Sequence, residues 1–123
     1  MTKKIVPILA GGGTRLPAHL GVLSALFELD IDFDHIVGVS GGSIISSFYA
    51  SGLSIEQIKK IALETNYSQF RGFSLYKLIR NGGLSSGDLF EKWVDDNLKG
   101  KTFSELEKQL HVVATDVKSG KPV

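Results

Sequence analysis

Apolar residues in the first half of the chain form short runs that alternate with helical repeats. The runs over residues 5–9 and 36–39 are each followed by glycines, which is typical of a buried strand that ends in a tight turn. The spacing predicts a helix between them that ends near Asp30, and a second helix that ends at Gly52. This alternation predicts an α/β fold with a parallel sheet and crossover helices.

Each predicted helix has an apolar face. The first begins at Pro17, a favoured first helical residue, and its face is formed by Leu16, Leu20, Leu23 and Phe27. The face of the second is formed by Ile44, Ile45, Phe48 and Tyr49. Pro7 conflicts with a central strand over residues 5–9, because proline has no amide hydrogen to donate to a neighbouring strand.

The second half of the chain is mostly helical. Residues 54–57 resemble a capping box, and further helices are predicted near residues 74–80, 89–98 and 102–105. A third strand is predicted over residues 111–117, followed by a turn at residues 119–122. The length of 123 residues suits one domain, residues 1–123, but the chain stops where a new unit should begin. We therefore expect the domain to be incomplete in this chain.

Composition excludes several classes of site. A net charge of +1 provides no strong field to attract nucleic acid. The absence of cysteine excludes disulfides, thiolate metal sites and a cysteine nucleophile. The apolar run after Met1 is too short for a signal peptide, and no stretch approaches the roughly 20 apolar residues that a membrane span needs. These features lead us to expect a cytoplasmic protein.

A Gly-x-Ser-x-Gly pattern, Gly38-Val39-Ser40-Gly41-Gly42, lies where the second predicted strand meets a helix. A sharp turn at such a junction lifts a serine hydroxyl clear of the backbone, and small neighbours permit the turn. The dipole of the following helix favours negative charge near the serine. By itself the pattern also fits a glycine turn with a serine N-cap. The strand and helix on either side favour a nucleophile at Ser40.

The glycine run Gly11-Gly12-Gly13 also follows a predicted strand and precedes a helix. Attack of a serine on an ester creates an oxyanion, and consecutive glycine amides can donate hydrogen bonds to it without obstruction by side chains. Glycine turns at the ends of neighbouring parallel strands face the same crevice. A phosphate-binding turn or a simple tight connection would use the same residues.

Three segments of the chain resemble those of patatin-like phospholipases. Residues 11–23 are similar to the family's opening signature, Gly-Gly-Gly-x-Arg-Gly followed by x-x-His-x-Gly-Val-Leu. Residues 38–43 resemble its nucleophile elbow, Gly-x-Ser-x-Gly-Ser, and residues 113–116 with Gly120 resemble a third, weaker segment. The resemblance implies that Ser40 is the nucleophile and that an oxyanion hole is formed by the backbone of Gly11, Gly12 and Gly13, helped by Arg15.

The chain departs from the family pattern at two points. Leu16 stands where the family has glycine, so the glycine run could differ in conformation from that of the family. The family's general base is an aspartate in a downstream Asp-Gly-Gly or Asp-Gly-Ala motif, and neither string occurs here. Asp116 belongs to a different family segment, so we do not assign it as the base. A serine without an aligned base is a weak nucleophile, and activity of this chain alone is therefore in doubt.

The resemblance implies a three-layer α/β/α domain that hydrolyses an acyl ester of a phospholipid or lysophospholipid through an acyl-enzyme. That route needs no metal or organic cofactor, and a lipid substrate suggests transient contact with a membrane surface. Two alternatives stay open. One is a catalytically silent patatin-like module that binds lipid or a protein partner, and the other is a nucleotide-binding α/β domain that uses Gly11 to Gly13. The dinucleotide fingerprint, however, requires glycine at position 16.

Two further features have a structural and a functional interpretation. His19 matches a family position near the glycine run, where it would either orient that run or simply pack. Aromatic residues interleaved with Arg71, Lys77 and Arg80 would form a lid or lipid-contacting surface, or part of the core, and we favour the core; these residues are Tyr67, Phe70, Phe73 and Tyr76. We assign only structural roles to His35 and His111.

Overall fold

The computed structural model describes residues 5–12, 15–66 and 88–123. In chain order, the elements of the described residues are β1 (Ile8–Leu9), α1 (Pro17–Glu28), β2 (His35–Val39), α2 (Gly41–Ala50), α3 (Ile55–Glu64), α4 (Asp88–Leu98), a 3-10 helix (Phe103–Glu105) and β3 (Gln109–Val113). The helix predicted near residues 74–80, and the aromatic and basic residues 67–80, lie outside the described residues.

The three strands form one parallel sheet in the order β1-β2-β3. Leu9 pairs with Gly38, and Val39 pairs with Val113, so all three strands end at the same edge. The prediction of an α/β fold with a parallel sheet and crossover helices is confirmed. The sheet is incomplete compared with a full three-layer domain, because the described helices pack around one core on one of its faces.

The core lies between the sheet and the helices. Leu9 of β1 and Ile36 of β2 face it, while Ile8, which points to the opposite face, is 68% exposed. The helices contribute the remaining fully or nearly fully buried apolar side chains, Leu20, Leu23, Ile45, Phe48, Ala50 and Ile58, together with Phe33 from the loop before β2. This packing holds α2 against all three strands and thereby sets where α2 begins. No helix among the described residues is long and apolar enough to cross a membrane.

Local hydrogen bonds set several helix ends as expected from the sequence. Ser54 and Gln57 form the predicted capping box: the Gln57 amide donates to the Ser54 hydroxyl, and the Ser54 amide donates to the Gln57 side chain. At the end of α1, Asp30 adopts a φ of 54°, and the Ile31 amide donates to the Leu26 carbonyl at 2.9 Å. This is the Schellman arrangement, in which a left-handed residue stops the helix.

Three sequence-based details were wrong. The first strand covers only residues 8–9. Pro7 precedes it, so its lack of an amide hydrogen does not interrupt the hydrogen bonds between β1 and β2. The Pro7 carbonyl accepts a hydrogen bond from the Val37 amide at 2.9 Å. Phe27 does not belong to the buried face of α1, because its side chain is 74% exposed while Leu26 packs against the core. The third strand ends at Val113 instead of residue 117, because residues 114–123 turn back on themselves.

Candidate active site

Ser40 lies at the junction between β2, which ends at Val39, and α2, which begins at Gly41. Its backbone angles are φ 53° and ψ −129°, a combination that residues other than glycine rarely adopt. Such a conformation costs on the order of 1–3 kcal/mol and persists only where the surrounding structure imposes it. Because the Ser40 side chain is exposed, its hydroxyl is accessible to a ligand at the carboxyl edge of the sheet.

Two buried glycines in the segment around Ser40, here named the elbow (residues 38–43), allow close approach of backbone segments. A Cβ atom on Gly38 would clash with the backbone of Ser43, whose nitrogen would be 2.9 Å away. A Cβ atom on Gly42 would fall on the carbonyl oxygen of Leu9. Neither glycine has a positive φ, so glycine is required at both positions for space and not for backbone conformation.

Ser43 completes the elbow, and sequence reasoning did not single it out as a functional residue. Its backbone amide donates to the Ser40 carbonyl at 2.9 Å, and its hydroxyl donates to the same oxygen. The signal for it was the Gly-x-Ser-x-Gly-Ser pattern itself, whose last serine is Ser43. Since α2 runs for 10 residues from Gly41, its N-terminal dipole favours negative charge at the Ser40 hydroxyl.

The glycine loop (residues 10–16) lies beside the elbow. Extending the pairing of Leu9 with Gly38 by two residues places Gly11 opposite Ser40. A Cβ atom on Gly11 would be 3.1 Å from the Ser40 Cβ and 3.4 Å from its Oγ, so Gly11 lies directly beside the side chain of Ser40. The structure thus brings these two predicted site residues together. Gly13, the third predicted oxyanion residue, lies outside the described residues.

Arg15 and Gly12 form a local turn in the glycine loop. The Arg15 amide donates to the Gly12 carbonyl at 2.9 Å, and both residues are exposed. Leu16, the residue that departs from the signature, has ordinary right-handed helical angles, φ −51° and ψ −34°. Glycine is therefore not required at position 16 for the backbone conformation. The Leu16 side chain lies against Gly41, where a Cβ atom would be 2.8 Å from both of its δ carbons.

A sequence profile of patatin-like phospholipases matches residues 8–122, which is nearly the whole chain. The chain belongs to the patatin-like phospholipase family. The match covers both the glycine loop and the elbow, at the carboxyl ends of β1 and β2.

Relatives of this patatin-like chain come from bacteria, viruses and animals. It is 31% identical over 127 aligned positions to the uncharacterized protein YqhO of Bacillus subtilis (strain 168), covering 92% of the chain and 44% of that protein. It is 34% identical over 121 positions to the uncharacterized protein R571 of Acanthamoeba polyphaga mimivirus, covering 89% and 41%. Neuropathy target esterase sws of Drosophila grimshawi is 30% identical over 112 positions, covering 89% of the chain and 8% of that protein. The chain thus spans less than half the length of these relatives.

In this patatin-like chain, Asp116 belongs to the third, weaker family segment, and its carboxylate is engaged in a local turn. The Asp116 carboxylate accepts hydrogen bonds from the Ser119 hydroxyl at 2.6 Å and from the amides of Lys118 and Ser119 at 3.1 and 3.2 Å. The Ser119 hydroxyl, followed by the Lys118 amide, lowers the pKa of Asp116 below its ordinary value. These hydrogen bonds stabilise the ionised carboxylate in its place within the turn.

His35 and His111 lie away from Ser40. The His35 Nδ1 is 3.2 Å from the His111 Nε2, and the two rings stack across β2 and β3 with centroids 5.5 Å apart. His35 is at the amino end of β2, whereas Ser40 follows its carboxyl end. Within residues 5–12, 15–66 and 88–123, no three His, Asp or Glu side chains are grouped as metal ligands.

Proposed function

We propose that this chain carries the nucleophile and the oxyanion donors of a serine-dependent lipid acyl hydrolase. The observation that carries the proposal is the strained conformation of Ser40 at a strand-to-helix junction, with the Gly11 backbone against its hydroxyl. A serine held in this way is typical of nucleophile elbows.

In the proposed reaction, Ser40 Oγ attacks the carbonyl carbon of an acyl ester. The new C–O bond converts the carbonyl oxygen to an oxyanion, which the backbone amides of the glycine loop stabilise, assisted by Arg15. Collapse of the tetrahedral intermediate breaks the ester bond, and the leaving alcohol takes up the proton lost by Ser40. Water then attacks the acyl-enzyme, releases the fatty acid and regenerates Ser40.

The general base lies outside this chain in our proposal. Asp116 is occupied by its own turn, and the family's aspartate motif does not occur among the 123 residues. We therefore assign the proton transfer to a residue outside these 123 residues, whose match covers only 44% and 41% of the two relatives. Membership of the patatin-like phospholipase family makes a phospholipid or lysophospholipid the proposed substrate of the whole protein. The acyl-enzyme route needs no metal or organic cofactor.

Hydrolysis of lipid by the protein at its natural length tests the proposal. Purified protein is incubated with vesicles of phosphatidylcholine and with lysophosphatidylcholine, and released fatty acid is measured. We expect Ser40→Ala to lower release by at least about a thousandfold, because nothing else supplies the acyl-enzyme. Ser104→Ala is the matched control, since Ser104 lies beside Asp34 and His35 at the other end of β2.

Two outcomes would contradict the proposal in different ways. Equal release by the unmodified protein and by Ser40→Ala would exclude Ser40 as the nucleophile. No release by the unmodified protein, combined with vesicle binding that Ser40→Ala leaves intact, would support the catalytically silent module. That alternative is favoured by the same observation that leaves the base unassigned, the engagement of Asp116 in its own turn.

A further inference from the structure

His19 makes a hydrogen bond that connects the two ends of the glycine loop. It is the third residue of α1, and its Nε2 is 2.7 Å from the carbonyl oxygen of Ala10. A carbonyl oxygen can only accept a hydrogen bond, so Nε2 must be the protonated ring nitrogen. The bond thus ties the first turn of α1 to the residue that directly precedes Gly11, across nine positions of the chain.

This hydrogen bond fixes the direction of a backbone donor. The Ala10 carbonyl and the Gly11 N–H belong to the same planar peptide group and point in opposite directions. An anchor on the carbonyl therefore also orients the N–H. Within the described residues the Gly11 N–H donates to no backbone carbonyl, so it is available to a ligand beside the Ser40 hydroxyl.

A second close neighbour restricts the same peptide group. The first turn of α2 lies so close that a Cβ atom on Gly42 would be 2.7 Å from the Ala10 oxygen. The peptide is therefore confined between α2, which allows little movement toward the elbow, and His19, which holds it from α1. Gly12 and Arg15 add only a local turn within the loop.

We propose that His19 is a positioning residue that orients the Gly11 N–H as an oxyanion donor. The inference rests on the proposed function, because the donor matters only if Ser40 forms a tetrahedral intermediate. It resolves the two interpretations of His19 in favour of orientation: a histidine that only packed would not need its Nε2 directed at a backbone carbonyl. His19 does not touch the reacting atoms, and it acts through the Ala10–Gly11 peptide.

Two variants separate orientation from packing. His19→Leu keeps an apolar side chain of similar bulk and removes the donor. His19→Gln retains an N–H group at about the reach of Nε2. We expect His19→Leu to slow phosphonylation by a fluorophosphonate on the order of 100-fold at saturating reagent, with little change in the half-saturating concentration. His19→Gln restores most of that rate, and His111→Gln, a histidine control on β3, leaves it unchanged.

A direct spectroscopic readout of the peptide accompanies the rates. Ala10–Gly11 is the only Ala-Gly step in these 123 residues. Labelling alanine carbonyls with ¹³C and glycine nitrogens with ¹⁵N therefore selects the Gly11 amide of this chain, and its ¹⁵N shift responds to hydrogen bonding at the Ala10 oxygen. We expect the shift to move in His19→Leu and to stay near its original position in His19→Gln.

The outcomes distinguish this inference from the proposed function. Normal phosphonylation of His19→Leu, or an unchanged Gly11 shift in that variant, overturns the positioning role while Ser40 remains the nucleophile. Slow phosphonylation of His19→Gln and His19→Leu alike also overturns it, because the donor would then be irrelevant. If the unmodified protein is not phosphonylated at all, the proposed function fails, and the positioning role fails with it.

Discussion

The elbow and the glycine loop lie side by side, yet the structure holds them in different ways. In the elbow, Gly38 and Gly42 are buried and their neighbours are backbone atoms, so the conformation of Ser40 follows from packing. In the glycine loop, Ala10, Gly11 and Gly12 are exposed. The described contacts that hold the loop are chiefly single hydrogen bonds, such as those of His19 and Arg15.

The two regions should therefore respond differently to substitution. Moving the nucleophile means moving α2 against the sheet, which disturbs the core, whereas moving the oxyanion donors means breaking a hydrogen bond at the surface. Changes in the elbow should therefore appear first as lost stability, and changes in the glycine loop as lost rate with a normal fold.

The largest expected effect is that of Gly42→Ala. Its Cβ would fall on the Leu9 carbonyl oxygen, and backbone atoms at the end of β1 cannot move aside as a side chain can. We expect a loss of about 3 kcal/mol or more in the free energy of unfolding, measured by urea titration. Gly41→Ala is the matched control, because the nearest neighbours of its Cβ belong to the Leu16 side chain, which can move aside. It should change stability by less than about 1 kcal/mol. Equal effects of the two variants would contradict the backbone-contact argument.

An intermediate effect is expected when the strain at Ser40 is relieved. Alanine shares the unfavourable φ of 53°, while glycine adopts it freely. Ser40→Gly should therefore be more stable than Ser40→Ala by about 1 kcal/mol, after allowing for the larger backbone entropy of unfolded glycine. Thermal unfolding of the two inactive variants measures the difference. A more stable Ser40→Ala would mean that the conformation at this position is not strained.

The smallest effect is expected at Asp116, which lies in the turn that follows β3. Loss of a general base typically costs on the order of 100- to 10,000-fold in rate, whereas Asp116→Asn should retain nearly full lipid hydrolysis. Lys118 and Ser119 bond to different carboxylate oxygens in the structure, so the single asparagine oxygen can keep one of these hydrogen bonds and loses the other. A loss of a hundredfold or more would assign Asp116 to catalysis after all.

The pH dependence of Asp116→Asn has a defined sign. The pKa of Asp116 is lowered in the folded state, chiefly by the Ser119 hydroxyl. Its charged form therefore stabilises the fold above the ordinary aspartate pKa, and this stabilisation is lost as the pH falls through the lowered value. The melting temperature of Asp116→Asn should lie slightly below that of the unmodified protein at neutral pH and converge with it at acidic pH. A difference in melting temperature that grows as the pH falls would contradict a lowered pKa for Asp116.

Much of the site could be predicted from the sequence because its glycines occur at the ends of apolar runs. The order of strands and helices, and the meeting of Gly11 with Ser40 at one edge, followed from that placement. The different demands on Gly41 and Gly42 could not be predicted, since they depend on which neighbour each one faces. The bond of His19 to Ala10 was equally inaccessible, because helical spacing does not show where a ring nitrogen points.

The errors in the fold have the same origin. Helical periodicity could not choose between Leu26 and Phe27, which lie in the last turn of α1 where the chain is about to leave the helix. An apolar pattern continued β3 toward Val117, whereas the hydrogen bonds of Asp116 and the pairing of Ala114 with Val123 turn the chain back. In each case a tertiary or turn contact outweighed the local pattern.

Covalent labelling with a serine-directed reagent shows whether Ser40 is an activated nucleophile. The protein at its natural length is treated with a fluorophosphonate, and the modified residue is located by intact mass and peptide mapping. We expect one adduct, on Ser40, that is absent in Ser40→Ala and present in Ser104→Ala. A folded protein that acquires no adduct, or an adduct that persists in Ser40→Ala, would contradict it.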